Sequence, residues 1–256
     1  MIGEQTVSVI LVHGFLDSGE IWSPVLKRLG NAAAAWLALD LPGMGKLWRD
    51  KGPFTLDRYA EFVVESVDAA SVPVVLIAHS MGTQIAELAA LRQPKKVRGL
   101  ALLSPVPLGG VHGPADIIRR LAATGGDVEA QRNVRRDFMA QPPDPKVLEA
   151  LTELGRDVRR DTTEALVTAW NEGTSVGATP SRFNGGVLVA AGEADPFVTN
   201  QMSIDVAARF RNCRRVSLPN CGHWPQAEHP ELVAQLISRS LAELSGDQRS
   251  GKGAEG

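Results

Sequence analysis

Short segments typical of β-strands alternate with longer amphipathic segments along most of this 256-residue chain. The strand-like segments are residues 7–12, 35–41, 73–78, 98–104, 186–191 and 213–218, and most of them are continuously apolar. The amphipathic segments are residues 20–30, 56–71, 82–93, 199–210 and 230–244. A strand is apolar throughout when helices cover both faces of its sheet, as in parallel α/β structures. The pattern therefore predicts an α/β fold, with a mostly parallel sheet of about six strands flanked by helices.

The alternation is interrupted once, over residues 106–182, where no convincing strand pattern occurs. This stretch contains helix-like segments at roughly 114–123, 127–140, 144–156 and 160–171, and Gly and Pro clusters bracket it. We therefore expect residues 1–105 and 183–245 to form the α/β core and residues 106–182 to form a helical cap above the strand ends. Residues 246–256 are of low complexity, which predicts a disordered tail.

Composition and charge exclude several classes of partner. The formal net charge is −2, and no basic stripe indicates a nucleic-acid partner. The apolar segments are far shorter than the roughly 20 residues of a membrane-spanning helix, so we expect no membrane contact. The first residues lack the positive region of a signal peptide, so we expect a mature start and a cytoplasmic protein. The oligomeric state is left open.

The two cysteines, Cys213 and Cys221, are too few for a disulfide framework or a metal site of cysteine ligands. We expect both to be reduced and packed. The sequence implies no metal and no organic cofactor.

A serine ends the third apolar segment, in VVLIAHSMGTQ (residues 74–84). Ser80 could simply cap the following helix, a common role for serine. Alternatively it is a nucleophile exposed on a sharp strand-to-helix turn, which requires small residues two positions to either side. Ala78 and Gly82 meet that requirement. The motif is weak alone, and its place between a strand and a helix strengthens the second interpretation.

A nucleophilic serine needs a base, and the base needs an orienting carboxylate. His223 follows the last predicted strand, whereas His229 begins the final helix. Asp195 follows another strand, in GEADPFV. Glu193 competes for that role, while Asp205 falls on a helix. The loop after residue 104 contains no acid, which favours Asp195.

An oxyanion hole completes such a site. The backbone N–H of Met81, at the start of the helix after Ser80, is one expected donor. The second comes from the loop after the first strand, where His13 and Gly14 turn the chain so that the Phe15 N–H faces Ser80. In isolation these two residues would indicate an ordinary strand-end turn.

Together these motifs resemble the α/β-hydrolase superfamily. The resemblance rests on LVHGF (11–15), DLPGMGKL (40–47), AHSMG (78–82), GEADPFV (192–198) and CGHWPQAEHPE (221–231). It implies Ser80 as nucleophile, His223 as base, Asp195 as its partner, and backbone donors at Phe15 and Met81.

The chain departs from the pattern of that superfamily in three places. Ala78 replaces a more frequent glycine, and Met44 and Lys46 replace residues of a GHGxS loop. The common N-terminal β-hairpin is expected to be absent, because the sequence begins almost at the LVHG strand.

A serine nucleophile favours hydrolysis of a small to medium, mainly apolar carboxylic ester or lactone through an acyl-enzyme. The alternatives are C–C bond hydrolysis, a lyase reaction or cofactor-free perhydrolysis with the same triad, and, less favoured, a non-catalytic ligand receptor. Apart from Phe15 and Met81, the candidate pocket residues are Leu16, Val106, Leu108, Phe138, Met139, Trp170, Phe197 and Trp224. The alternative for each of them is an ordinary place in the core.

Four arginines lie in the helical cap, as two adjacent pairs: Arg119, Arg120, Arg135 and Arg136. Their helical positions favour a solvated face over a clamp for an acidic substrate.

Overall fold

The structure is a computed structural model that describes residues 7–30 and 32–244. Its strands are β1 (Ser8–Val12), β2 (Ala35–Ala38), β3 (Val74–His79), β4 (Val97–Leu103), β5 (Gly186–Gly192) and β6 (Cys213–Leu218). They form one sheet in the order β2-β1-β3-β4-β5-β6, and every neighbouring pair is parallel. The predicted parallel sheet is confirmed. The predicted tail, residues 246–256, and the first six residues lie outside the described part of the chain.

Helices connect and cover the strands. Those outside the segment between β4 and β5 are α1 (Ser23–Leu29), α2 (Leu56–Ala69), α3 (Met81–Arg92), α8 (Asn200–Ala208), α9 (Pro225–Glu228) and α10 (Pro230–Leu244). Those between β4 and β5 are α4 (Ala115–Ala122), α5 (Val128–Phe138), α6 (Pro145–Leu154) and α7 (Arg160–Glu172). Short 3-10 helices cover Gly19–Trp22, Gly45–Leu47 and Ser175–Ala178. No helix among the described residues is both long and apolar enough to cross a bilayer.

Two apolar layers lie on opposite faces of the sheet. Alternate residues of β3 belong to different layers, with Leu76 in one and Ile77 in the other. The Leu76 layer includes side chains of α2, α3 and α8, and the Ile77 layer includes side chains of α1 and α10. This burial on both faces explains why β3 is apolar without alternation.

Two strands end earlier than the sequence predicts. The predicted strand over residues 35–41 ends at Ala38, and the Asp40 carboxylate accepts hydrogen bonds from the backbone N–H of Gly19 and of Lys46. The strand predicted to reach Ser104 ends one residue earlier, where Ser104 takes a positive φ of 43°. Both changes occur at carboxyl ends of strands, where an open parallel sheet places its functional loops.

The segment between β4 and β5 contains the four helices that the sequence predicts there, and α4 packs against α7 while α5 packs against α6. The division into a core and a helical cap remains our proposal. In the register of the sheet, Val12 lies beside Ala78, and His79 beside Leu103. The loops that follow β1, β3 and β4 therefore meet at one edge of the sheet.

Candidate active site

Ser80 lies on a strained turn between β3 and α3. Its φ of 51° and ψ of −126° place a non-glycine residue in a region that side chains disfavour. Two glycines permit the close packing around it. A Cβ on Gly82 would lie 2.5 Å from the His13 carbonyl oxygen, and a Cβ on Gly14 would lie 2.9 Å from Ser80 Cβ. Ser80 makes no side-chain cap hydrogen bond to α3, so helix capping does not explain it.

Three side chains from different loops form one hydrogen-bonded row. His223 Nε2 is 2.9 Å from Ser80 Oγ, and His223 Nδ1 is 2.8 Å from Asp195 Oδ2. All three residues are buried. Since a neutral imidazole donates from one nitrogen and accepts at the other, Nδ1 donates to the carboxylate and Nε2 accepts from the hydroxyl.

The turn after β5 fixes the Asp195 carboxylate. Its Oδ1 accepts hydrogen bonds from the backbone N–H groups of Phe197 and Val198, each at 2.9 Å, which leaves Oδ2 for His223. The competing acids lie elsewhere, since Glu193 is exposed and Asp205 is exposed and bonded to Gln201.

The other histidines of this region do not reach Ser80 Oγ by a hydrogen bond. His79 Nε2 bonds to the backbone oxygen of His223, and His13 Nε2 accepts from the Leu41 N–H. His229 bonds to the backbone oxygen of Asn220. These side chains support backbone segments of the site. His13 and His79 are buried, and burial lowers the pKa of each below its ordinary value.

The expected oxyanion donors lie beside the serine. Met81 begins α3 directly after Ser80, and Phe15 follows Gly14, the residue packed against Ser80. Among the described residues, neither the Phe15 N–H nor the Met81 N–H donates a hydrogen bond to a protein acceptor. Both groups are therefore free to donate to a bound oxygen.

A small cavity lies over the serine, beneath the helices between β4 and β5. Its lining includes Ser80, His223 and the predicted residues Phe15, Leu16, Met81, Val106, Phe138, Trp170, Phe197 and Trp224. The aromatic rings form much of its wall. Phe197 packs edge-on against His223 at 5.4 Å and against Trp170 at 5.6 Å, and it stacks on Phe138 at 5.2 Å.

The structure corrects two predicted pocket residues and adds three. Leu108 and Met139 do not line this cavity; Leu108 packs in the Leu76 layer and Met139 in the Ile77 layer. The added residues are Leu121, Val134 and Arg135. Leu121 and Val134 are the buried apolar positions of α4 and α5, which periodicity alone could have indicated.

Both cysteines are unpaired, as predicted. Cys221 is buried next to the loop that carries His223, and burial raises the pKa of its thiol well above the ordinary value. Burial also raises the pKa of the half-buried Cys213, to about 11. Among residues 7–30 and 32–244, no group of three or more His, Cys, Asp or Glu side chains could hold a metal ion.

A model of the alpha/beta hydrolase family matches residues 9–236. The chain belongs to the alpha/beta hydrolase family. It is 29% identical over 253 residues to a pimeloyl-(acyl-carrier protein) methyl ester esterase of Stenotrophomonas maltophilia, with 93% of each chain covered. It is also 29% identical over 244 residues to Lipase LipV of Mycobacterium tuberculosis, with 90% of this chain and 92% of the lipase covered.

A solved structure has the same fold. A thermophilic esterase from Thermogutta terrifontis superposes with a TM-score of 0.80 at 21% sequence identity, covering 94% of this chain and 92% of that one. At such an identity the likeness concerns the fold, and it confirms the predicted α/β-hydrolase fold.

The hydrolase carries a carboxylate that sequence reasoning missed, in the short helix α9. Glu228 Oε2 accepts hydrogen bonds from the backbone N–H of Ala140 at 2.8 Å and of Gly222 at 3.1 Å. Its Oε1 accepts from the Trp224 N–H at 2.9 Å. One side chain thus joins the residues on both sides of His223 to the chain just after α5. Glu228 lies within the motif CGHWPQAEHPE (221–231), but its pattern of three N–H donors exists only in the folded loop.

A buried ion pair joins α5 to the loop after β1, and it overturns one prediction. Arg119, Arg120 and Arg136 are exposed as expected, but Arg135 is fully buried against Asp17. Burial alone would raise the pKa of Asp17, but the Arg135 charge and the His79 side chain outweigh burial and hold that pKa well below its usual range. Arg135 sits on the core-facing side of α5, which a charge count cannot reveal.

Proposed function

We propose that this hydrolase cleaves a small to medium, mainly apolar carboxylic ester or lactone through an acyl-enzyme. The observation that carries the proposal is the hydrogen-bonded row of Ser80, His223 and Asp195, held on three separate strand ends. Such a row activates a hydroxyl that is otherwise a poor nucleophile. The named activities of the two relatives described above, an esterase and a lipase, support the same reaction class.

We infer one role for each group in this reaction. His223 Nε2 takes the proton of Ser80 as Oγ attacks the carbonyl carbon of the ester. The carbonyl oxygen becomes negatively charged and accepts hydrogen bonds from the Phe15 and Met81 N–H groups. Asp195 stabilises the protonated imidazole through its bond to Nδ1. His223 then protonates the leaving alcohol and later activates the water that releases the acid.

The cavity favours a neutral acyl group. Apart from the triad residues, its lining is apolar or aromatic except for Arg135, and Asp17 already pairs with that charge. The cavity volume is about 30 Å³, counted as the space open to the centre of a water molecule. One water needs about 10–15 Å³ by this measure. We therefore expect the best acyl groups to be short, from acetyl to butyryl.

The test is hydrolysis of p-nitrophenyl esters from acetate to decanoate, together with several lactones. We expect turnover of the short esters by the wild type, and Ser80→Ala to lower kcat by at least about 10³-fold, because it removes the nucleophile. Ser104→Ala is the matched control, since Ser104 is a second buried serine of positive φ at a strand end, without a histidine partner. Its activity should stay near that of the wild type.

Full activity in Ser80→Ala would refute the catalytic assignment. If the folded wild type ignores every ester and lactone, the proposed substrate class is wrong. Diketones and cyanohydrins then test C–C bond hydrolysis and lyase chemistry by the same serine.

A further inference from the structure

A fully buried arginine is unusual, because removing its charge from water is costly unless the charge is paired and hydrogen-bonded. Arg135 satisfies both conditions on the loop of residues 13–18 after β1, which we call the oxyanion loop. Its guanidinium donates to Asp17 Oδ1 at 2.9 Å and to the backbone oxygen of Leu16. We propose that Arg135 is a positioning residue, which holds the oxyanion loop in the shape that presents the Phe15 N–H to the substrate.

Backbone strain shows why the oxyanion loop needs such support. Leu16, which follows Phe15 directly, has a φ of 62°. A non-glycine residue keeps this disfavoured conformation only where its surroundings impose it. Arg135 binds the Leu16 carbonyl oxygen and the next side chain at once, so it fixes the chain immediately after Phe15. A bidentate guanidinium is suited to this, because its donors lie in one rigid plane.

The Asp17 carboxylate also contacts the loop that carries His223. Asp17 Oδ2 accepts a hydrogen bond from Trp224 Nε1 at 3.2 Å and lies 3.5 Å from His79 Nδ1. The Arg135 guanidinium carbon lies 5.4 Å from the centre of the Trp224 ring. Asp17 thus contacts a neighbour of the nucleophile and a neighbour of the base, and Arg135 supplies the opposite charge for this cluster.

The inference rests on the proposed function and concerns kcat more than substrate binding. A displaced Phe15 N–H weakens the hydrogen bond to the developing oxyanion, which forms fully only in the transition state. A misplacement of about 1 Å can cost about 100-fold in rate. We therefore expect Arg135→Met to lower kcat by about 10- to 100-fold and to change KM by less than about 3-fold.

The variants are Arg135→Met, Arg135→Lys and the double variant Arg135→Met with Asp17→Asn. Arg159→Met is the matched control, because Arg159 precedes α7 and also binds core backbone, at Trp48 O and Asp50 O. The measurements are kcat and KM with the best ester of the panel, thermal unfolding, and inhibition by 1,1,1-trifluoro-2-hexanone. Ser80 Oγ adds to that ketone, its proton passes to His223, and the ketone oxygen becomes the oxyanion.

The expected results separate positioning from stability. Arg135→Met should raise the inhibition constant of the ketone by about the same factor by which it lowers kcat. Arg159→Met should change the inhibition constant and kcat by less than about 3-fold. Arg135→Lys keeps the charge but not the planar fork, so its kcat should lie in between. The double variant removes the unpaired carboxylate charge and should recover the melting temperature while its kcat stays low.

Three results would overturn the proposal: an unchanged kcat in folded Arg135→Met, recovery of kcat together with the melting temperature in the double variant, or failure of both single Arg135 variants to fold. Each would leave Arg135 a purely structural role. The Ser80→Ala and ester-panel results decide the proposed function separately, since they need no Arg135 variant.

Discussion

The Glu228 carboxylate offers a sharp test of how the loop that carries His223 is held. We consider Glu228→Gln, which keeps the size of the side chain and removes its charge. The carboxylate oxygens accept three backbone N–H groups, from Ala140, Gly222 and Trp224. An amide has a single acceptor oxygen. Even in its better orientation, with that oxygen toward Ala140 and Gly222, the NH₂ group faces the Trp224 N–H, donor against donor.

The cost follows from counting bonds. One hydrogen bond is lost, and two change from charged to neutral acceptors. Hydrogen bonds to charged groups contribute about 1.5–3 kcal/mol and neutral ones about 0.5–1.5 kcal/mol. Since Glu228 is only half-buried, water compensates in part, and we expect the unfolding free energy to fall by about 2–3 kcal/mol. For a domain of this size that is about 4–12 °C in melting temperature.

The loop that Glu228 supports also carries His223, the proposed base, so we expect activity to change as well. We expect kcat to fall by about 10-fold at temperatures where the variant is fully folded, because His223 loses its fixed distance to Ser80. Calorimetry and steady-state hydrolysis of the best ester measure the two effects. Glu231→Gln is the matched control. Glu231 makes an exposed ion pair with Arg28, their side chains being 68% and 40% exposed, and this pair contributes less than about 1 kcal/mol. Equal changes in the two variants would refute the reasoning.

Two further predictions concern stability. Gly82→Ala should lower the unfolding free energy measured in urea by about 3 kcal/mol or more, because its Cβ would clash with the backbone oxygens of His13 and Val12. Gly109→Ala is the control: the nearest atom to its Cβ lies 3.6 Å away, so the loss should be under about 1 kcal/mol. Burial lowers the pKa of His13 and of His79 below 6.5. Below pH 6.5 the two histidines take up protons in the unfolded state, whereas in the folded state both imidazoles stay neutral. The unfolding free energy therefore decreases as the pH is lowered, by up to about 1.4 kcal/mol per pH unit for each histidine. A flat unfolding free energy between pH 7 and pH 5.5 would contradict this.

The sequence allowed the sheet to be predicted because burial on both faces leaves a local signal. The run VVLIAH reads as a buried strand without any tertiary information, and β3 is Val74–His79. The loops of Ser80, Asp195 and His223 could be placed for the same reason, since each directly follows a strand. A parallel sheet brings the carboxyl ends of its strands to one edge, so the order of strands largely decides which loops meet.

The remainder of the site depends on tertiary contacts that leave no local pattern. In the sequence, Arg135 and Arg136 are adjacent charges on one helix, and only the packing of α5 on the oxyanion loop separates a buried ion pair from an exposed arginine. Glu228 reads as one more acid before the final helix. Leu108 follows β4 and Met139 follows α5, and nothing in the spacing of these apolar residues separates core from pocket.

This division follows the chemistry. The proposed reacting groups lie on turns whose shape depends on short-range backbone rules, such as the strained φ of Ser80 and the glycines around it. The electrostatic support comes from residues distant in the sequence, since Asp17 and Arg135 are separated by more than a hundred residues. Substitution of Arg135 removes no atom of the Ser80–His223 or His223–Asp195 hydrogen bond. It changes the electrostatic field and the loop around them. An effect on kcat with an intact triad is therefore the specific signature of this support.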